Sequence, residues 1–187
     1  MRGLVTGGAG FIASHIVDAL IETGHSVAVV DDLSRGKESN VNPKARLYKV
    51  DICSPSLAEV FAKEQPELVN HHAARTSVNH SVLHPADDAT VNILGSLNLL
   101  QNCVASAVRQ VVYASTGGAL YGEPRYLPCD EEHPINPLSP YGASKHAVEH
   151  YLYLYRANWN LDYAVLRYPN VYGARQDPFG EAGVVAI

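Results

Sequence analysis

Tyr141 and Lys145 lie four residues apart in SPYGASKHAVEHYLYLYRANW, which runs from Ser139 to Trp159. On a helix, positions i and i+4 share a face, so a phenol and an ammonium project together. A free tyrosine titrates at about 10. Service as a base near neutral pH requires lowering that by about 3, or about 4 kcal/mol of preferential phenolate stabilisation. An ammonium one turn away supplies part of this, and the positive end of the helix adds to it. Taken alone the pair favours packing, because Tyr151, Tyr153 and Tyr155 follow on the same segment.

A second group of residues changes that reading. Thr6-Gly7-Gly8-Ala9-Gly10-Phe11-Ile12-Ala13 reads G-x-G-x-x-A from Gly8, between a short apolar strand pattern and a helical one. This is the dinucleotide fingerprint in its required context: backbone without side chains approaches a pyrophosphate, and helix N–H groups point at the anion. Asp31 follows at about the expected 20 residues, where a carboxylate accepts hydrogen bonds from the adenosine ribose. A carboxylate there repels a 2′-phosphate, so the residues read as NAD over NADP. Arg35 and Lys37 are the nearby cations that could receive that phosphate, and Asp32 reads as a solvated neighbour.

The elements that must position these groups alternate. Strand patterns occur at Gly3–Thr6, Val27–Asp31, Leu47–Asp51, Leu68–His72, Gln110–Ser115 and Tyr163–Arg167. Helical patterns occur at Phe11–Thr23, Leu57–Lys63, Ala86–Ala107 and Pro140–Asn158, the last opened by Ser139-Pro140. In the third of these, Val91, Leu94, Leu97, Asn98 and Cys103 are in approximate helical register. A glycine- and proline-rich loop, Thr116 to Ser139, is long enough to suggest function. Buried apolar strands alternating with helices predict an α/β domain with a doubly wound parallel sheet, of the Rossmann kind. Its ligand crevice lies outside the carboxyl ends of the strands, where both the glycine turn and the Tyr141 helix begin.

Composition narrows the classes. Of 187 residues, 47% are hydrophobic and 18% charged, and the net charge is −5. That suits one soluble domain and argues against a nucleic-acid or anionic-membrane surface, which needs clustered cations. No apolar run has the length of a membrane span, and glycines interrupt the apolar residues after Arg2, against a signal peptide. Cys53, Cys103 and Cys129 are odd in number and widely spaced, so they read as reduced, mostly buried thiols of a cytoplasmic protein. His71, His72, His80 and His84 invite a metal reading. However, His71 and His72 point to opposite faces of a strand and no carboxylate or cysteine completes a set, so no metal is expected.

Further stretches carry a family likeness. They are TGGAGFIA (6–13), VVDDLSRG (29–36), DIC (51–53), HHAARTSV (71–78), VNILGSLNLL (91–100), STGGALYGE (115–123), SPYGASK (139–145), LRYPNVYG (166–173) and RQDPFGEAG (175–183). In these the chain resembles the extended short-chain dehydrogenase/reductases, and among them the NAD-dependent nucleotide-sugar epimerases, over essentially its whole length. The resemblance implies NAD as cofactor and reversible oxidation at C4 of a UDP-sugar of the glucose/galactose type. It implies Tyr141 as the base for the sugar 4-hydroxyl, with Lys145 on the nicotinamide ribose lowering the Tyr141 pKa. It places Gly7, Gly10, Phe11 and Ile12 at the pyrophosphate, Asp31 at the adenosine ribose, and Asp51 with Ile52 at the adenine. Ala73, Ala74 and Asn92 would line the cofactor channel, and Tyr168 and Asn170 would lie near the nicotinamide and the sugar diphosphate. The family's third catalytic residue, a hydroxyl, falls on Gly117 here. Thr116 is the nearest hydroxyl and Ser115 the reserve. Ala13 stands where the family has its last turn glycine.

Related dehydratases need an Asp-Glu pair after the threonine, and decarboxylases a glutamate in this loop; Gly117-Gly118 follows Thr116 instead. An epimerase is therefore the expectation, with uronic-acid and N-acetylhexosamine substrates open and a non-catalytic NAD-binding protein the alternative from another class. At Glu181–Ile187 the family begins a helix leading to a smaller sugar-binding lobe. The expectation is that residues 1–187 are the NAD-binding domain with that lobe missing. The family also implies a homodimer through the two long helices after Pro85 and Pro140.

Overall fold

A computed structural model describes residues 1–178; the RQDPFGEAG stretch beyond Pro178 and the Glu181–Ile187 stretch lie outside the described residues. The strands are β1 (Arg2–Thr6), β2 (Ser26–Val30), β3 (Arg46–Tyr48), β4 (Leu68–His71), β5 (Gln110–Thr116) and β6 (Asp162–Tyr168). They form one parallel sheet in the order β3-β2-β1-β4-β5-β6. The chain winds outward from β1 in one direction and, after β4, in the other. The strand order therefore reverses between β1 and β4, and a crevice opens there at their carboxyl ends. The predicted doubly wound sheet is the observed one.

Alternation along the strands splits the core in two. Leu4, Val69, Val111 and Tyr113 face a large cluster with Leu57 and Phe61 of α2 (Leu57–Glu64), Leu99, Leu100 and Cys103, and Val148 and Leu152. Val5, Val27 and Val29 face Ala13 and Val17 of α1 (Phe11–Glu22) on the other side. Thr23 caps α1, and Gly24 follows with φ +84, the left-handed turn expected after that helix.

Three differences from the sequence reading have physical causes. β3 stops at Tyr48 because Val50 N–H turns back to the Tyr48 carbonyl, which leaves Asp51 outside the strand. A short helix, α3 (Val78–Leu83), precedes Pro85 and was not anticipated; Ser77 caps it by accepting from His80 N–H. The long helix predicted for Ala86–Ala107 is three segments: α4 (Pro85–Ala89), a π-helical turn (Thr90–Gly95) and α5 (Ser96–Ala105). The wide turn changes the register. Leu94 is 59% exposed, whereas Asn92, Gly95 and Ser96 point inward. An extra residue in a helical turn rotates the residues after it, and such turns are frequent at functional sites.

The last helix, α6 (Pro140–Trp159), begins as the sequence indicated. Ser139 Oγ accepts from Gly142 N–H, and proline occupies the first turn. Ser81 of α3 adds a second bond, its Oγ accepting from Tyr141 N–H at 3.2 Å. Gly142 must be glycine on steric grounds, because a Cβ there would run into the Ala119 carbonyl. The start of α6 is thereby clamped against the loop that follows β5.

Candidate active site

The glycine turn is a cradle of backbone. Gly7 has φ +71, and a Cβ on it would stand 2.7 Å from Ala73 N. Gly10 N–H donates to the Gly7 carbonyl at 2.9 Å. Gly10 then opens α1 with no side-chain cap and no acid in the first turn. The leading N–H groups of a helix lack intrahelical partners, so this end presents donors and a partial positive charge to an anion. Gly7, Gly10, Phe11 and Ile12 thus come together at one surface. Ala73 backs it, with its N–H donating to Thr6 Oγ1, and half-buried Ala74 follows.

Asp31 is 7% exposed, and its carboxylate accepts from Ala9 N–H at 3.0 Å and Leu33 N–H at 2.9 Å. Burial pushes its pKa up, against the two backbone donors. Each carboxylate oxygen keeps a lone pair beyond these bonds, so it can also accept from a hydroxyl. Asp51 is exposed and accepts from Cys53 N–H, while the Ile52 side chain is 4% exposed within the core. These neighbours, anticipated to act together, divide into a rim carboxylate and a core anchor. Of the three cysteines expected to be mostly buried, only Cys103 is; Cys53 is intermediate and Cys129 exposed. Among the described residues no three His, Cys, Asp or Glu side chains converge as a metal site.

Tyr141 and Lys145 do share a face at the mouth of the crevice. The Thr116 side chain lies beside the Tyr141 hydroxyl and favours its charged form. Ser115, one residue earlier on β5, points to the other side, and its Oγ donates to Glu149 at 2.5 Å. Strand alternation thus separates the two candidate hydroxyls: Thr116 meets the phenol, and the reserve, Ser115, is committed elsewhere. Gly117 is tightly packed, since a Cβ there would meet the Arg167 carbonyl at 3.0 Å.

Lys145 is 4% exposed, its Nζ donates to the Ala114 carbonyl at 2.9 Å, and it lies 4.9 Å from the Tyr113 ring centre and 5.9 Å from that of Tyr141. The expectation that Lys145 lowers the Tyr141 pKa is not met in the protein alone. Burial pushes Tyr141 up to about 12, with the neighbouring Thr116 opposing and the Asp88 charge reinforcing. Burial also lowers Lys145 to about 8, against the charge of Asp88. Desolvation of the charged form is the largest influence on each of the two groups here.

The other side chains assigned by resemblance fall around this pair. Asn92 is 1% exposed and grips the backbone of Arg75 from both sides, Oδ1 accepting its N–H and Nδ2 donating to its carbonyl. Tyr168 Oη lies 3.4 Å from His72 Nε2, and the ring lines a cleft of about 460 Å³ with Phe11 and Ile12. Asn170 is exposed beside Gly118.

Several polar residues under the site were not anticipated. His71 is fully buried and held well below the usual histidine range, chiefly by burial. Ser96 Oγ donates to the Asn92 carbonyl and so accepts from His71 Nε2, leaving Nδ1 to accept from Thr6 Oγ1 at 2.7 Å. Glu149 and Arg167 form an ion pair at 2.8 Å between α6 and β6, and Arg167 also donates to Tyr121 Oη. Asp88, 0% exposed, accepts from Asn92 Nδ2 and Ser144 Oγ. Their one sequence signal is a charged or hydroxyl residue inside an otherwise apolar element.

With this geometry in place, the comparisons with known proteins are decisive for ancestry. The model of the NAD dependent epimerase/dehydratase family matches residues 3–187. The chain belongs to that family. Its relatives there include a putative UDP-glucose 4-epimerase of Methanocaldococcus jannaschii, 52% identical over 184 residues, covering 98% of this chain and 60% of the relative. The UDP-glucose 4-epimerase of Mycolicibacterium smegmatis is 47% identical over 192 residues, covering 100% of this chain and 61% of the relative. Among solved structures, the Thermotoga maritima UDP-glucose 4-epimerase with UDP-glucose superposes with a TM-score of 0.96 at 50% identity, covering 100% of this chain and 61% of that one. The Thermus thermophilus UDP-glucose 4-epimerase in complex with NAD gives 0.96 at 50% identity, covering 100% and 60%. The family member described here thus spans about 60% of the length of the curated relatives it matches.

Proposed function

We propose that this chain carries the NAD site and the reacting residues of a UDP-sugar 4-epimerase of the glucose/galactose type. The observation that carries the reading is Tyr141 with the buried Lys145 5.9 Å from its ring centre and Thr116 beside its hydroxyl, at the same end of the sheet as the glycine cradle. The residues present fit NAD. The uncapped start of α1 and the space at Gly7 and Gly10 suit a pyrophosphate, and Asp31 retains acceptor capacity for a ribose. Asp51 on the rim, with Ala73, Ala74 and Asn92 along the crevice, would line the remainder, and Tyr168 would flank the nicotinamide.

When bound, NAD supplies a reversible hydride acceptor. Tyr141 Oη takes the proton of the sugar 4-hydroxyl and later returns it, and Thr116 Oγ1 holds the same oxygen in line. Lys145 would hold the nicotinamide ribose and place a positive charge near the phenol. Because Tyr141 holds its proton in the protein alone, base function requires additional positive charge at the site, which couples proton removal to a loaded cofactor site. Asn170, exposed beside Gly118, would meet the sugar diphosphate. Gly117-Gly118 after Thr116 leaves no acid there, which supports epimerisation over dehydration.

The exposed Leu94, Tyr153 and Leu154 on the long helices support a homodimer through these faces. Among the described residues no helix is long and apolar enough to cross a membrane, and the three free cysteines support a cytoplasmic setting. The test is proton NMR of UDP-galactose with this chain and added NAD. Conversion to UDP-glucose that is lost in Tyr141→Phe is the expected result. NAD binding without conversion under these conditions would overturn the proposed activity of this chain.

A further inference from the structure

Asp88 is an acid placed where acids are rarely tolerated: 0% exposed, on α4, among the helices packed against β4 and β5. A buried carboxylate is costly unless hydrogen bonds and opposite charge compensate it. Its bonds do not go to the amides of its own helix, as an acid serving only the helix end would require. Oδ2 accepts from Ser144 Oγ at 2.6 Å, and Oδ1 from Asn92 Nδ2 at 2.9 Å. Ser144 lies between Tyr141 and Lys145 on α6. Asn92, turned inward by the π-helical turn, grips the Arg75 backbone in the loop after β4. One carboxylate thus ties the helix of the reacting pair to the loop that flanks the glycine cradle.

Lys145 needs such a partner. Its Nζ is satisfied by a neutral carbonyl, Ala114, and the groups facing it are mostly uncharged or unfavourable to an ammonium. From β5 it meets the Tyr113 ring, from its own helix the Tyr141 ring, and from the end of β4 and the residue after it His71 and His72, whose protonated forms its charge disfavours. Among the described residues Asp88 is the one acid whose charge favours the Lys145 ammonium.

We propose that Asp88 is a positioning residue of the Tyr141–Lys145 pair: its buried carboxylate is the remote counter-charge of Lys145 and, through Ser144 and Asn92, locks α6 to the loop after β4. The consequence is joint control of two protons. The Asp88 charge keeps the ammonium on Lys145 and also holds the proton on Tyr141. Removing it moves both titrations toward lower pH, which loss of packing alone would not do. This inference deepens the proposed epimerase and rests on Tyr141 and Lys145 being its reacting pair, but its first test does not involve catalysis.

That test is an NMR titration of the cofactor-free chain carrying labelled lysine side chains. The unchanged protein should show Lys145 titrating near 8. In Asp88→Asn, which keeps the shape and removes the charge, the midpoint should fall by about one pH unit. In Ser144→Ala, which removes one hydrogen bond and keeps the charge, it should stay. A folded Asp88→Asn with an unmoved Lys145 midpoint overturns the proposal. If Asp88→Asn does not fold, the labelled carboxyl of Asp88 in the unchanged protein decides. A carboxylate ionised at neutral pH, whose resonance follows the Lys145 titration, supports the counter-charge; a protonated one overturns it. In the loaded enzyme, both limbs of the rate profile should move toward acid in Asp88→Asn. A moved Lys145 midpoint without any epimerisation would support the counter-charge and count against the reaction instead.

Discussion

At the glycine turn the protein offers backbone, and at the first turns of α6 it offers buried side chains. Both regions sit at the carboxyl end of the same sheet. The turn is built from neighbours in sequence: Gly7, Gly10 and the uncapped start of α1, backed by Ala73. Nothing in it is charged except Asp31, whose carboxylate is partly neutralised by two amides. The α6 region brings Thr116 from β5, Asp88 from α4 and Tyr141 with Lys145 from α6 itself, and most of its energetics is desolvation. A binding surface for a fixed anion can be made of geometry. A site that moves a proton needs groups whose charged forms are held in balance, and that takes distant parts of the chain.

The sharpest way to separate the regions is Tyr141→Phe, which should reduce epimerisation about 1,000-fold. NAD affinity, measured by calorimetry, should stay within a factor of about 2. A matching loss of affinity would mean that the two regions are not separable. The converse is Gly7→Ala. It puts a methyl into a φ of +71 and against Ala73 N, so it should cost about 2 kcal/mol in urea unfolding. It should also weaken NAD binding at least about tenfold.

How much of this contrast was legible in sequence depends on the same difference. The glycine turn, β1, β2, α1, Asp31 and the start of α6 at Ser139-Pro140 are specified by local chemistry, and the sequence reading placed them within a residue or so. The Tyr141–Lys145 face was legible because i and i+4 are fixed by helix geometry. The features that were not legible depend on packing. The π-helical turn that hides Asn92 and exposes Leu94 leaves no mark in apolar spacing, and α3 is too short for a periodic signal. Whether Ser115 or Thr116 faces the phenol needs the phase of β5, which only the assembled sheet fixes. The direction of the Tyr141 pKa in the protein alone also escaped, because proximity of an ammonium is readable and depth of burial is not.

Smaller effects test the buried network. Glu149→Gln leaves an acceptor for Ser115 but removes the charge facing Arg167 across a mostly buried contact, and should cost about 1.5 kcal/mol in unfolding free energy. A loss well above that would make the ion pair a larger part of the fold than its geometry suggests. The smallest expected effect is in pH. Lys145 titrates at about 8 in the fold, against 10.5 for an ordinary lysine, so above pH 8 the unfolded chain binds more protons. Lys145 alone would raise stability by about 1 kcal/mol between pH 8 and 9, but two raised thiols oppose it across the same interval, so the net rise should be only about 0.3 kcal/mol. From about pH 9 upward the slope should turn down, because burial raises the Cys53 and Cys103 thiols and the fold then holds more protons than the unfolded chain. Urea unfolding across that interval checks both signs.

The most direct measurement of the central claim is the first half of the reaction. The NAD-loaded chain would be mixed with excess UDP-galactose while the near-ultraviolet absorbance of reduced nicotinamide is followed. A rise in the unchanged protein that is abolished in Tyr141→Phe is the expected result, because proton removal by the phenol must accompany hydride loss from C4. A protein that holds NAD yet gives no rise, or gives the same rise in Tyr141→Phe, would contradict the claim that this pair does the chemistry.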